Sequence, residues 1–267
     1  MLVCPNCKKP LIKKDRSFVC ENRHSFDISK EGYINLLLPN KKNAQIPGDN
    51  KEMVNSREEF LNKDYYSVLR DNLLKISLKY KPGKSVILDC GCGTGYYTSF
   101  IKKNRGANDT FFGVDISKFA TQKAAKKDKD ILFFTASVFD LPIKEESIDL
   151  VINIFAPKSP NELMRVLKKG GVILEVLPGE DHLIELKEIL YKDNVRKIPF
   201  ECSCEGFSNE EIISIKYEIE VNSHEDLMNL LAMTPYMYKT KQEDIENLNN
   251  IDKIKLTIDF RIVVWKK

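Results

Sequence analysis

Four residues near the N-terminus have the types and the spacing of metal ligands. Cys4 and Cys7 flank a Pro-Asn pair, and Cys20 and His24 form a second close pair one short hairpin further on. Zinc is held by four such ligands as a tetrahedron, and each close pair lets one tight turn present two of them. A redox Cys-x-x-Cys needs a thioredoxin-like strand and helix, which are not visible here. Against a coincidental grouping, the spacing and the weak local core favour a structural zinc site at all four residues.

A glycine-rich segment further along has the composition of a cofactor-binding loop. Asp89 ends an apolar run and is followed by Gly91, Gly93 and Gly95, with Thr94 between the last two. Glycine at a strand-to-helix turn permits a positive φ and lets a ligand approach the backbone closely. The G-x-G-x-G spacing departs from the dinucleotide pattern G-x-G-x-x-G. The glycines alone do not identify the ligand, so the segments that follow must decide.

Two further acids follow the next strands. Asp115 ends the second strand, where a carboxylate accepts hydrogen bonds from both hydroxyls of a ribose. Asp140 follows the third strand, where an adenine edge would lie. With Asp89 and the glycine loop, this ordered set resembles the class I S-adenosylmethionine methyltransferases over residues 85–177. Methyl transfer by this class needs little covalent participation of protein side chains. The enzyme has only to align the nucleophile with an activated methyl group and to exclude water.

The elements that must position these residues alternate between strands and helices. This order predicts an α/β fold with a Rossmann-like, mostly parallel sheet and right-handed crossovers. The last segment alternates from Ile254 to Val264, which predicts an antiparallel closing strand with one exposed face. The strands before it are expected over 85–90, 110–116, 131–136, 148–154 and 172–177. The helices are expected from about 57 to Pro82, and over 96–103, 118–126, 160–167 and 182–191.

Composition is that of a soluble globular chain. Hydrophobic residues make up 42% and charged residues 30% of the 267 residues, and no run approaches the ~18 apolar residues that span a bilayer. No signal-peptide pattern is present, so we expect a cytoplasmic protein without a membrane partner. Seven cysteines, an odd number, fit poorly with a complete disulfide framework.

Charge is distributed unevenly. The whole chain carries only +3, whereas residues 1–51 hold ten Lys or Arg against five Asp or Glu. Both a solvated basic surface and a phosphate-binding surface are compatible with this local excess. Charge by itself leaves the two alternatives open.

Several segments outside the glycine loop are not generic to this fold. They lie at 26–27, 30–37, 47–49, 60–61, 66, 69–71, 155–157, 178–183 and 233–235, and a further piece at 95–98 continues from the last glycine of the loop. Together with the two ligand pairs they resemble one family along nearly the whole chain, the large-subunit ribosomal RNA guanine-N1 methyltransferases called RlmA. The resemblance implies methyl transfer from S-adenosyl-L-methionine to N1 of a guanine in a hairpin loop of 23S ribosomal RNA. It also implies that the zinc module recognises RNA and that the chain forms a homodimer.

The resemblance adds residues to the candidate cofactor site. It implies cofactor contacts for Tyr66, Gly93, Thr94 and His182, although other members carry an acid at the position of Thr94. That departure is mild if the backbone makes the contact. The predicted cofactor-binding set is Tyr66, Asp89, Gly91, Gly93, Thr94, Gly95, Asp115 and His182.

The predicted organisation has three parts: a zinc-binding RNA-recognition module over 1–37, a linker over 38–56 and a methyltransferase domain over 57–267. Phe155 either stacks on the target guanine or packs under the next helix. The acceptor of the guanine N1 proton stays open, with Glu180, Asp181 and His182 as candidates.

The alternative function is a small-molecule S-adenosylmethionine-dependent methyltransferase whose zinc module only supports the fold. A non-enzymatic nucleic-acid-binding module with a decayed cofactor site is a third possibility. The intact set of Asp89, the glycines and Asp115 argues against such decay.

Overall fold

The computed structural model describes residues 1–39, 47–106, 108–191 and 200–267. The strands are β1 (Ile12–Lys14), β2 (Ser17–Val19), β3 (Ser25–Asp27), β4 (Ile34–Asn35), β5 (Val86–Cys90), β6 (Thr110–Asp115), β7 (Leu132–Thr135), β8 (Ile148–Ile154), β9 (Leu167–Pro178), β10 (Ser208–Val221) and β11 (Ile254–Lys266). The helices are α1 (Lys51–Asn62), α2 (Ser67–Tyr80), α3 (Tyr96–Arg105), α4 (Lys118–Lys127), α5 (Pro160–Val166), α6 (Ile184–Tyr191), α7 (His224–Ala232), α8 (Tyr236–Lys239) and α9 (Gln242–Ile245).

Eight strands form one sheet in the order β10-β11-β9-β8-β5-β6-β7-β4. Neighbours from β9 to β4 are parallel, and β11 runs antiparallel to both β9 and β10. From β5 the chain steps to β6 and β7 on one side and then to β8 and β9 on the other. The strand order thus reverses at β5, and parallel sheets bind ligands at the carboxyl ends of the strands beside such a reversal. The predicted α/β fold with a mostly parallel sheet is confirmed.

Both faces of the central strands are covered. On β5, Ile87 belongs to the core on one face and Leu88 to the core on the other, and both are fully buried. A parallel strand buried on two sides reads as a continuous apolar run rather than an alternating one. This explains why the central strands were recognisable from sequence.

The C-terminal end of the sheet differs from expectation. β11 was expected to expose one face, but it lies between β9 and β10, and Val263 and Trp265 on its second face are buried as well. The expectation of an exposed face is therefore wrong, while the antiparallel closure is confirmed. β10 is the edge strand that sequence reasoning missed, although Ile213, Ile215 and Ile219 alternate with polar residues along it.

The first long helix begins earlier than expected. Asn50 caps α1 by accepting a hydrogen bond from the backbone N–H of Met53 at 3.0 Å, as an N-cap side chain does. Residues 51–56 of the expected linker are therefore helical, and its residues 40–46 lie outside the described part of the chain. The helical stretch expected from about 57 to Pro82 is divided, because residues 63–66 separate α1 from α2.

The N-terminal segment packs directly on the large sheet. β1, β2 and β3 form a small antiparallel sheet of their own. β4 then pairs in parallel with β7, with Ile34 opposite Phe134. On the other side, Val3 N–H donates to the carbonyl of Pro142 at 2.9 Å. The N-terminal segment therefore rests on the edge of the sheet and on the chain between β7 and β8.

Candidate active site and metal centre

The four predicted metal ligands converge in one cluster. Their ligand atoms all lie within 4.8 Å of one another. Sγ of Cys4 and Sγ of Cys20 lie 3.5 and 3.4 Å from Nδ1 of His24, and Sγ of Cys7 lies 3.7 Å from Sγ of Cys20. Ligands around a tetrahedral zinc are roughly 3.5 to 3.8 Å apart, given Zn–S of about 2.3 Å and Zn–N of about 2.0 Å. The cluster has the dimensions of a zinc site.

A tight turn presents each pair of ligands. The backbone N–H of Lys8 donates to the carbonyl of Cys4 at 2.8 Å, and that of Arg23 donates to the carbonyl of Cys20 at 3.0 Å. Lys8 and Arg23 have φ values of 60° and 62°, a region that non-glycine residues seldom adopt. Each turn therefore contains one residue with a positive φ next to a ligand, Lys8 after Cys7 and Arg23 before His24.

A cavity of about 310 Å³ opens where the strand order reverses. Its walls come from the chain after β5, β6, β7 and β8 and from α1. The structure brings together six of the eight predicted cofactor-binding residues on these walls, whereas Gly95 and His182 are not part of them. The six are Tyr66, Asp89, Gly91, Gly93, Thr94 and Asp115.

The loop after β5 runs close against the segment that follows β8. Gly91 has a φ of 84°, and a Cβ atom at this position would overlap the methyl group of Ala156. Gly93 has a φ of 53°, and its open side meets only Cδ of Arg57, at 3.6 Å from the Cβ position. Gly91 is thus required by a close approach, and Gly93 leaves room for a ligand beside the backbone.

Asp115 is held in place by two backbone groups. Its Oδ2 accepts a hydrogen bond from the N–H of Gly93 at 2.9 Å, and its Oδ1 accepts one from the N–H of Ser117 at 2.8 Å. Burial raises the pKa of this carboxyl, and the two N–H groups oppose that rise. A carboxylate has about four acceptor positions, so Asp115 can accept further bonds from a diol in the cavity.

Two buried polar atoms on the cavity walls have no hydrogen-bond partner among the described residues. They are Oδ1 of Asp89 and Oγ1 of Thr94. The other oxygen of Asp89 accepts a bond from the Thr98 hydroxyl at 2.5 Å. Burial raises the pKa of Asp89 to about 7. Because unpaired buried polar atoms are costly, their place on the walls indicates a polar ligand.

An aromatic cluster forms one side of the cavity. Phe155 is 42% exposed and has a φ of 51°, and its ring is stacked with that of His182 at a centroid distance of 6.3 Å. Phe260 packs against His182 at 4.8 Å and against Tyr66 at 5.1 Å. Tyr66 and Phe155 line the cavity, whereas His182 lies behind them. A cofactor contact for His182 stays a prediction.

The candidates for accepting the N1 proton lie away from the cavity lining. His182 is 8% exposed, its Nδ1 accepts the N–H of Asp259 at 3.4 Å, and burial lowers its pKa to about 3. Asp181 forms an ion pair with Lys216 at 2.7 Å. Glu180 accepts a bond from the backbone of Phe200. The identity of the proton acceptor stays open.

The segment after β7 lines the cavity, but not through Asp140, the residue expected there. Ser137, Val138 and Phe139 line it, whereas Asp140 does not. A turn in which the N–H of Asp140 donates to the carbonyl of Ser137 carries Asp140 outward. There its Oδ1 lies 2.5 Å from Nζ of Lys8 in the N-terminal segment. The expected position of Asp140 at an adenine edge is therefore wrong.

Sequence reasoning also missed Arg57 on the cavity wall. Arg57 lies three residues after Val54 and four before Leu61, so it shares the buried face of α1 with them. A charged residue on an apolar helical face was a usable signal. The predicted helix begins only at about residue 57, so its apolar face did not extend back to Val54 and past Arg57.

The sheet order, the glycine loop and the acids after β5 and β6 define a class I methyltransferase. Residues 87–171 match the family described as "Methyltransferase domain". Residues 2–45 match the zinc ribbon family described as "RlmA, N-terminal". A solved structure concerned with converting a disulfide bond into a thioacetal group during echinomycin biosynthesis shares the fold. Its TM-score is 0.50 at 16% identity, over 73% of this chain and 81% of that one.

Two relatives specify the family. The 23S rRNA (guanine(748)-N(1))-methyltransferase of Streptomyces fradiae is 32% identical over 71% of this chain and 67% of its own length. A Bacillus subtilis (strain 168) protein with the provisional name 23S rRNA (guanine-N(1)-)-methyltransferase YxjB is 27% identical over 100% of this chain and 97% of its own length. The chain belongs to the RlmA-type 23S rRNA (guanine-N1)-methyltransferase family.

The cofactors follow from the two domains and fit the residues present. The methyltransferase domain uses S-adenosyl-L-methionine, whose polar groups suit the unpaired atoms of Asp89 and Thr94 and the buried carboxylate of Asp115. The zinc ribbon and its Cys₃His cluster bind zinc. Within the described residues, no helix is long and apolar enough to cross a bilayer.

Proposed function

We propose that this protein transfers the methyl group of S-adenosyl-L-methionine to N1 of a guanine in a hairpin loop of 23S ribosomal RNA. The observation that carries the proposal is the contact between the zinc ribbon and the wall of the cofactor cavity. The segment after β7 lines the cavity with Ser137, Val138 and Phe139, and its next residue pairs with Lys8 of the ribbon. An RNA held by the ribbon therefore reaches the methyl donor directly.

The proposed cofactor site divides its work among the residues at the ends of the strands. Asp115 accepts the ribose hydroxyls, and the backbone at Gly93 and Thr94 lies along the amino-acid portion. Asp89 and Tyr66 complete the walls, while Gly91 and Gly95 shape the loop and the start of α3. His182 supports the site through the rings of Tyr66 and Phe155.

The proposed RNA surface combines positive charge with exposed aromatic rings. Lys13, Lys14 and Arg16 are exposed on the first hairpin of the ribbon, and no ion pair joins them to another described residue. Phe139 and Phe155 are exposed at the cavity. The basic side chains attract RNA phosphates. The aromatic rings offer surfaces on which unstacked bases of RNA loops can stack. This surface suits a hairpin whose stem lies on the ribbon and whose loop enters the cavity.

The chemistry asks the protein mainly for alignment. A guanine must leave its stack before its Watson–Crick edge can be methylated. Phe155 stands where such a base would enter, and its strained backbone is held by the packing of its ring on His182 and Phe260. When bound, S-adenosyl-L-methionine supplies an activated methyl group and leaves as a neutral thioether. The chain's part is to orient N1 toward that methyl group and to exclude water.

Primer extension tests the proposal. The purified protein, labelled S-adenosyl-L-methionine and 23S RNA that lacks the modification should give label in the RNA. They should also give a reverse-transcription stop at one guanine of a hairpin loop, because an N1-methyl group blocks base pairing. Label in small molecules or protein, with none in that RNA, would support the small-molecule alternative instead.

The remaining assignments belong to the same proposal. The regions 1–37, 38–56 and 57–267 act as RNA-recognition module, linker and methyltransferase domain. The protein works in the cytoplasm, where its RNA substrate is made, and as a homodimer, as the family resemblance implies. Light scattering on the purified chain measures the oligomeric state.

A further inference from the structure

The cavity has an uneven set of charges. Among the described residues on its walls, three are acids and one is a cation. The acids are Asp49, Asp89 and Asp115, and the cation is Arg57. S-adenosyl-L-methionine carries positive sulfonium and ammonium groups, which suit the acids, but it also carries a negative carboxylate. Without a cation, these walls would repel the carboxylate.

Arg57 is fixed beside the glycine loop. Its Nε and Nη2 donate to Oδ2 of Asp49 at 3.2 and 2.7 Å, and its Cδ lies 3.6 Å from the Cβ position of Gly93. The backbone carbonyl of Asp49 is in turn held by the hydroxyl of Ser117 at 2.6 Å. The guanidinium is therefore tied to the loop that also positions Asp115.

The guanidinium keeps donors for a ligand. Nη1 has no hydrogen-bond partner among the described residues, while Nε and Nη2 are engaged by Asp49. The side chain of Arg57 is partly exposed and lines the cavity. A guanidinium forms strong, charge-assisted bonds to a carboxylate, and Arg keeps its charge at any working pH.

We propose that Arg57 binds the carboxylate of the amino-acid portion of the cofactor. This inference rests on the use of S-adenosyl-L-methionine and adds a carboxylate-binding residue to its site. The ligand class is an α-amino carboxylate attached through a thioether or sulfonium to adenosine. Asp49 holds the guanidinium in the orientation that presents Nη1.

Two ligands, of which only one carries the amino-acid portion with its carboxylate, test the proposal. Isothermal titration calorimetry on the full-length zinc-bound protein gives the Kd of S-adenosylhomocysteine and of 5′-methylthioadenosine, which lacks the amino-acid portion. Arg57→Ala should raise the Kd of S-adenosylhomocysteine by about ten- to a hundredfold and leave that of 5′-methylthioadenosine unchanged. Arg57→Lys should give a smaller rise, because lysine keeps the charge but not the planar fork.

Lys51→Ala provides the matched control. It removes one positive charge from the same helix, at an exposed position outside the cavity lining, and should leave both affinities unchanged. Thermal unfolding and zinc content confirm that each variant is folded.

Three results would overturn the inference. The first is an unchanged Kd of S-adenosylhomocysteine for Arg57→Ala. The second is an equal loss of affinity for both ligands, which would mean that Arg57 shapes the loop instead. The third is a wild-type protein that binds neither ligand, and this result alone would also remove the cofactor assignment.

Discussion

Nζ of Lys8 and Oδ1 of Asp140 lie 2.5 Å apart, which joins the first zinc-ligand turn to the segment that lines the cofactor cavity. An exposed ion pair of this kind contributes at most about 1 kcal/mol by itself. Backbone bonds at Val3–Pro142 and at Met1–Lys144, both of 2.9 Å, connect the same two segments. The metal centre and the cofactor cavity therefore share one wall.

This shared wall predicts that zinc and the cofactor support each other's binding. Cys4→Ser should release zinc, loosen the first turn and raise the Kd of S-adenosylhomocysteine about fivefold or more, the usual lower range of such coupling. Calorimetry with and without zinc measures it. Cys202→Ser, at a half-buried thiol outside the cluster, should change neither zinc content nor Kd. Equal cofactor affinity with and without zinc would show that the wall is rigid on its own.

Asp115→Asn should weaken every adenosine-containing ligand. The substitution removes the negative charge that we propose binds the ribose hydroxyls, and it places an amide N–H near the donors of Gly93 or Ser117. We expect the Kd of S-adenosylhomocysteine and of 5′-methylthioadenosine to rise together by about tenfold or more. This pattern differs from that of Arg57→Ala, so one titration series separates the ribose from the carboxylate. A loss confined to S-adenosylhomocysteine would refute the ribose assignment.

Asp89 should make the cofactor-free protein less stable as the pH rises. Burial raises its pKa to about 7 in the folded chain, against about 3.9 in the unfolded chain. Between these values the folded state holds a proton that the unfolded state has lost. The free energy of unfolding should therefore fall between pH 4 and pH 7, by up to about 1.4 kcal/mol per pH unit.

Denaturant unfolding at several pH values, compared between wild type and Asp89→Asn, isolates this contribution. The variant should lack that part of the slope and should be the more stable protein at pH 8. Parallel pH profiles for the two proteins would show that Asp89 is already ionised in the folded state at low pH.

Phe155→Ala should reduce RNA methylation and spare cofactor binding. Base–aromatic stacking is worth about 1 to 3 kcal/mol per base, so kcat/KM for 23S RNA should fall by about ten- to a hundredfold. Ile212→Ala removes a similarly exposed apolar side chain from the edge strand and should have no effect. Full activity of Phe155→Ala would show that its ring serves only to pack on His182 and Phe260.

The basic hairpin of the ribbon should set the salt dependence of RNA binding. Lys14→Ala and Arg16→Ala should each weaken RNA binding at low salt. Each should also reduce the slope of the logarithm of the binding constant against the logarithm of the salt concentration, by about one unit for each phosphate that is no longer neutralised. Filter binding over a salt series measures both. Lys79→Ala, which removes an ion-paired lysine on α2, is the control. Salt slopes identical to wild type would place the phosphate-binding groups elsewhere.

The sequence by itself determined the metal ligands, the glycine loop and the central strands. Close pairs such as Cys4 and Cys7 are local, and a strand buried on both faces is a continuous apolar run. These features depend on residue type and short spacing, so they can be read along the chain. The start of α1 was misplaced because Asn50 caps it within a polar stretch that resembles a linker.

Only the tertiary structure decided which residues face the cavity. Asp140 has the chain position expected of a cofactor residue, yet one turn directs it to Lys8 of the zinc ribbon. Arg57 has no neighbouring motif, yet α1 carries it to Gly93. Likewise His182 follows β9 as expected but lies behind Tyr66 and Phe155. Contacts between residues distant in sequence depend on how helices and turns pack, and no local spacing records that packing.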